Sequence, residues 1–217
     1  MTNSSLAGKL ACEPQMLRHK NNYRILFTIS MLFVFLIPII MKKKEVLSMG
    51  TFGEAKQTFT FSGVPKSAEE LAALPEASLA SPFQTAALTV LALCRYCQDR
   101  QVGIDMLNFL KGPQPLSPYE QQFLQDRLGG KPYLPYSFFA GSTPQNNYEP
   151  ALPLTIIVQE DPYSYAEDGY AKLLLQSSGA DQARPVKLRC KSQTQWFLWE
   201  QFLLSDIRQP SAADPWA

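Results

Sequence analysis

Three groups of side chains in this 217-residue sequence have the types and spacing to do chemistry. Cys94-Arg95-Tyr96-Cys97 matches the C-x-x-C spacing of dithiol oxidoreductases. That chemistry needs the first thiol at the exposed amino end of a helix, where the dipole lowers its pKa. Here the pair falls at the carboxy end of an apolar run, so two reduced, packed thiols are expected. Gly129-Gly130-Lys131 looks like the end of a phosphate loop. Gln125, however, stands where such a loop needs its first glycine, and Pro132 where it needs Ser or Thr. The third group is acidic: Glu160-Asp161 and Glu167-Asp168 flank a segment carrying Tyr163 and Tyr165, and Glu200 follows Trp199. Two carboxylates at a defined separation can hydrolyse glycosides. Without that separation they are solvated turn residues.

The single histidine is His19. From Met49 onward there is none, which removes Ser-His-Asp and Cys-His nucleophiles and the commonest metal ligand. Cys94, Cys97 and Cys190 are then one ligand short of a closed zinc site, and no metal or other cofactor is expected. Of the four cysteines Cys12 precedes Met49, and the odd number left after it fits reduced thiols better than a disulfide framework.

Composition divides at the same point. Seven of the 20 Lys and Arg, but only two of the 19 acids, precede Met49, leaving 13 basic against 17 acidic residues after it. A mildly acidic body without a clustered basic face argues against nucleic acid as a partner. The leader also holds the apolar run 25–41 (ILFTISMLFVFLIPIIM), at the short end of what spans a bilayer. Basic residues flank it on both sides, so the positive-inside rule gives no orientation, and Lys42-Lys-Lys-Glu45 is not a signal-cleavage site. Lys44-Glu45-Val46 is also what the ribosome-binding sequence AAGGAGGT encodes in frame. The expectation is that 1–48 is translated upstream sequence, with an N-terminal membrane anchor as the alternative, and that 49–217 is one globular domain in the cytoplasm.

The elements that must position these groups are legible from caps and periodicity. Gln57–Ser62 alternates as a short strand. Ser67-Ala-Glu-Glu70 is a capping box ahead of a helix that Pro75 stops. Ser81-Pro82 opens a helix running to about Gln98, apolar nearly all round and therefore central. Asp99 caps another that Gly112-Pro113 ends, and Ser117-Pro118-Tyr119-Glu120 repeats the cap-plus-proline signature before Gly129. Eight prolines between Gly112 and Pro153 forbid long regular elements outside that helix. The period then changes: 154–159, 170–176, 186–191 and 195–201 read as strands, with Ser192-Gln193-Thr194 a hairpin turn. The order predicts an α+β fold, about three N-terminal helices packed on a C-terminal antiparallel β-meander.

Aromatic residues cluster at Tyr133, Tyr136, Phe138 and Phe139, at Trp196, Phe197 and Trp199, and at Trp216. Tyr133, Tyr136, Phe139 and Trp216 form the expected interaction surface: three lie in the proline-rich crossing and one is next to the terminus.

Pro113-Gln-Pro-Leu-Ser-Pro-Tyr119, Trp196-Phe-Leu-Trp-Glu200, Asp214-Pro-Trp-Ala217 and Leu88–Tyr96 together resemble an uncharacterised bacterial domain-of-unknown-function family marked by WFLWE and a C-terminal DPWA. The similarity covers 59–217 and implies no activity, cofactor or catalytic residue. The leading functional expectation is a non-enzymatic module that binds an unknown protein or peptide partner. The alternatives are a carboxylate-dependent hydrolase or sugar-binding enzyme using Glu160, Asp161, Glu167 or Asp168, and a membrane-tethered domain if 25–41 is genuine.

Overall fold

A computed structural model describes residues 55–214. The leader, the apolar run 25–41 and Trp216 lie outside the described residues. Among those described, no helix is long and apolar enough to cross a membrane.

Five antiparallel strands make one sheet in the order β1 (Lys56–Phe61), β2 (Leu154–Gln159), β3 (Tyr170–Leu175), β4 (Arg184–Lys191) and β5 (Gln195–Gln201). The architecture is α+β. Its α-helices sit within the meander rather than ahead of it, because all of those described lie in the connection between β1 and β2. That pairing runs the full length of both strands, from Lys56 opposite Gln159 to Phe61 opposite Leu154.

Five α-helical segments lie in the connection, with 3-10 turns at Pro75–Ser78 and Pro144–Asn146: α1 (Ala68–Ala72), α2 (Pro82–Gln98), α3 (Arg100–Lys111), α4 (Pro118–Leu128) and a single turn, α5 (Tyr133–Tyr136). Their starts follow their caps. The Ser67 hydroxyl accepts from the Glu70 amide, while the Glu70 carboxylate reaches back to the amide of Lys66, one residue earlier than a capping box requires. Ser81 with Gln84, and Ser117 with Glu120, close reciprocal boxes with proline in the first turn. Asp99 ends α2 and caps α3 by accepting from the Val102 amide.

Helix α2 crosses the sheet and touches all five strands. Leu88, Leu91 and Leu93 are completely buried. Each contributes about 1.5–3 kcal/mol by leaving water. The opposing sheet face supplies Ile156, Val158, Leu173, Val186 and Leu188, all likewise buried, as the two-residue period of the strands requires. Helix α3 packs along α2 so closely that a Cβ on Gly103 would fall 2.3 Å from the Tyr96 Cα. Only glycine fits there.

The edge strand β5 does not present a free ladder to solvent. Its Trp196 amide donates to the Leu79 carbonyl (2.8 Å), and the Trp196 carbonyl accepts from the Thr85 hydroxyl (2.6 Å). A bulge follows: Leu198 opposes Leu188 and Glu200 opposes Lys187, so Trp199 is an extra residue. Its carbonyl accepts from the Lys111 ammonium (3.3 Å) at the end of α3.

Candidate functional site

The crossing from 133 to 148 is ordered by packing. Phe139 is only 2% exposed, and its backbone bridges Ile156 in β2 while the next amide, Ala140, donates to Thr155. Strands β2 and β3 pair only at Val158–Leu175 and Gln159–Leu174, and the crossing occupies the gap where they part. Phe139 is therefore core rather than interaction surface, a correction to the expectation above. Tyr133 and Tyr136 are half-buried. The Tyr133 ring stacks on Tyr148 with centroids 5.5 Å apart, and the Tyr136 hydroxyl takes a hydrogen bond from the Gln98 amide (2.5 Å). Burial raises both tyrosine pKa values above the usual range. These two rings line only a shallow depression.

The remaining sequence candidates are used locally. Glu160 accepts from the Tyr165 hydroxyl (2.5 Å), Asp161 accepts from the Tyr163 amide (2.8 Å), and Glu167 pairs with Lys187 (2.7 Å). Asp168 is exposed. Burial pushes the Cys94 thiol well up and Cys97 to about 12, the opposite of an activated dithiol. Gly129 and Gly130 terminate α4, with the Lys131 amide closing on the Leu128 carbonyl.

A different set of residues comes together between α3, α4 and β5. The linker that joins the two helices is pinned at Leu116, whose amide donates to Asn108 (2.8 Å) and whose carbonyl accepts from Gln121 (3.2 Å). This holds α4 off the edge of the sheet and leaves a cavity of about 410 Å³. Its walls are mostly apolar: Leu116, Tyr119 and Phe123 from the helical side, Trp199 and Phe202 from the sheet side. Tyr119 is 81% exposed and Phe202 49%, so the rim offers two aromatic rings to solvent. A concave, largely apolar cavity of this volume with a few fixed polar groups has the form of a ligand site.

The polar groups are Lys111 and Glu120. The Lys111 side chain is 8% exposed and its ammonium lies 2.7 Å from the Glu120 carboxylate, itself 38% exposed. Burial tends to raise the Glu120 pKa. The Lys111 ammonium and the Ser117 amide and hydroxyl outweigh it and hold the carboxyl below its ordinary range. An ammonium has three donors. Glu120 and the Trp199 carbonyl take two, and the third has no partner among the described residues. The arrangement anchors an uncharged acceptor better than a second carboxylate, because one more anion would be placed against Glu120.

Lys111 carried no signal in the sequence. A lysine in the last turn of a helix ordinarily complements the dipole from solvent. Its burial depends on Trp199, 88 residues away. Glu120 was legible as a cap and not as an ion-pair partner. The segments 113–119 and 196–200, noted above for their resemblance, both contribute to this cavity.

No curated protein and no solved structure matches the chain. A family model described as "Domain of unknown function (DUF6935)" matches residues 63–211, more than half of the sequence, and the chain belongs to that family.

Proposed function

We propose that this protein is a non-enzymatic interaction module, and that the groove between α3, α4 and β5 takes a short apolar peptide segment from its partner. The observation that carries the reading is the pair of exposed rings, Tyr119 and Phe202, above an apolar cavity whose only buried cation is already neutralised. Exposed aromatic rings beside a concave apolar surface are the usual anchors of peptide recognition. The unassigned Lys111 donor suits a main-chain carbonyl of the peptide. The carboxylates of Glu120 and Glu200, both in the lining, favour a Lys or Arg flanking the apolar residues. Strand addition at β5 is disfavoured, since Trp196 and Trp199 already have backbone partners.

The interaction role stays as the sequence suggested, and its place moves from the aromatic crossing to the groove. The test is selection of eight-residue peptides from a random displayed library on the full chain. Enriched peptides should combine large apolar residues with Lys or Arg. Their affinity should fall about tenfold or more in Tyr119→Ala/Phe202→Ala, a change at exposed positions that leaves the circular dichroism unaltered. Peptides that bind the folded double variant as tightly as wild type would refute the groove.

A further inference from the structure

A second cavity, of about 390 Å³, lies on the other side of the Lys111 and Trp199 positions, between the α3–α4 linker and the β4–β5 hairpin. Its uncompensated charges are both cationic, Arg189 and Lys191, with no carboxylate in the lining; Lys111, at the shared wall, is already balanced by Glu120. We propose that this cleft binds a small organic oxyanion, a phosphoryl or carboxylate group carried on a flat apolar body.

Arg189 and Lys191 are both exposed, and neither is in an ion pair among the described residues. Elsewhere the pairing is different: Lys187, the nearest outward cation on the same strand, is matched by Glu167 at 2.7 Å. The Arg189 guanidinium is instead held over aromatic faces, 4.8 Å from the Trp199 centroid and 5.6 Å from that of Tyr170. Stacking orients a guanidinium without neutralising it and leaves its N–H edge available to a planar or tetrahedral oxyanion. Tyr170 and Trp199 brace each other edge to face at 5.7 Å, so the platform is fixed before any ligand arrives.

Pro113, Phe197 and Leu198 give the cleft an apolar wall, beside the uncharged polar residues Gln114 and Ser192. The Phe197 ring is set against Gly112, where an added Cβ would fall 2.4 Å from it. A bare inorganic ion would leave that surface wet, whereas an anion with an attached ring would cover it. The two unpaired cations, Arg189 and Lys191, meet at one cavity and do not form a track. That geometry suits a single small anion and not a polynucleotide backbone, which needs successive contacts.

The cleft shares the wall of Lys111, Leu198 and Trp199 with the peptide groove, but neither Tyr119 nor Phe202 lines it. Isothermal titration of the full chain with phenyl phosphate, benzoate and benzyl alcohol tests it. Saturable binding of at least one of the two anions is expected, with none for the neutral alcohol. The tighter of the two anions then identifies which oxyanion the cleft prefers. Arg189→Gln/Lys191→Gln should weaken the anion about tenfold or more, as loss of charge-assisted hydrogen bonds requires. Tyr119→Ala/Phe202→Ala should leave anion affinity unchanged, which separates this site from the groove. The proposal is overturned if neither anion saturates, if benzyl alcohol binds equally well, or if the Arg189/Lys191 variant binds like wild type.

Discussion

Removing either partner of the Lys111–Glu120 pair should destabilise the protein by very different amounts, in the order opposite to their burial when read as a cost of deletion. In Lys111→Met the aliphatic stem is kept and the ammonium lost. Glu120, 38% exposed and still bonded to the Ser117 amide (2.8 Å) and hydroxyl (2.7 Å), can take up water. An ion pair with so exposed a partner contributes about 0–1 kcal/mol. The Trp199 carbonyl loses its donor, for about 1–3 kcal/mol if it stays dry. Relief from burying the ammonium offsets part of this, so the net cost should be about 1–2 kcal/mol. In Glu120→Ala the group left behind is an ammonium only 8% exposed, and stranding such a charge costs about 3–5 kcal/mol. The capping box opened by Ser117 is broken as well, for about 1 kcal/mol. Urea unfolding at pH 7, followed by tryptophan fluorescence and circular dichroism, reads both numbers at a common m-value. If Lys111→Met proves as damaging as Glu120→Ala, the account of this pair is wrong.

Three further outcomes follow from the same geometry. The Glu120 carboxyl is held below its ordinary range, so its stabilisation is complete above the unfolded pKa of about 4.3 and is lost as pH falls through the lower folded value. Wild type should therefore lose stability on acidification below about pH 5 more steeply than Glu120→Gln, as urea midpoints at pH 3 to 6 would show. Gly112→Ala should cost about 2 kcal/mol or more, because φ is +60° there and the new methyl would meet the Phe197 ring; an unchanged thermal midpoint would contradict this. Cys97, pushed to about 12, should react with iodoacetamide at pH 8 roughly a thousandfold more slowly in the native protein than in urea, by mass spectrometry of the modified peptide.

Local chemistry made much of the fold legible. Ser81-Pro82, Asp99, Gly112 and Ser117-Pro118 bound α2, α3 and α4 where the caps indicate, because each satisfies orphan backbone groups within a few residues. All five strands begin and end within about two residues of their periodic runs, the margin normal for element boundaries. The turn at Ser192-Gln193 is also seen, both residues having positive φ. What depended on distant partners was not legible. β1 reads as an isolated alternating segment, and nothing local says that it pairs with β2 across the whole helical insertion. Phe139 looked available because it lies in a proline-rich crossing, yet Ile156 claims its backbone and the core its ring. The candidate site escaped for the same reason. Its exposed Tyr119 read as part of a cap, and the bulge that leaves Trp199 without an opposing residue has no trace in a strand pattern.

The central claim is that the groove between α3, α4 and β5, rather than the aromatic crossing, receives the partner peptide. Photocrosslinking of a library-selected peptide tests this most directly, with benzoylphenylalanine replacing Tyr119 in one preparation and Tyr136 in another. The account predicts an adduct from position 119 and none from 136. An adduct from 136 with none from 119 would contradict it.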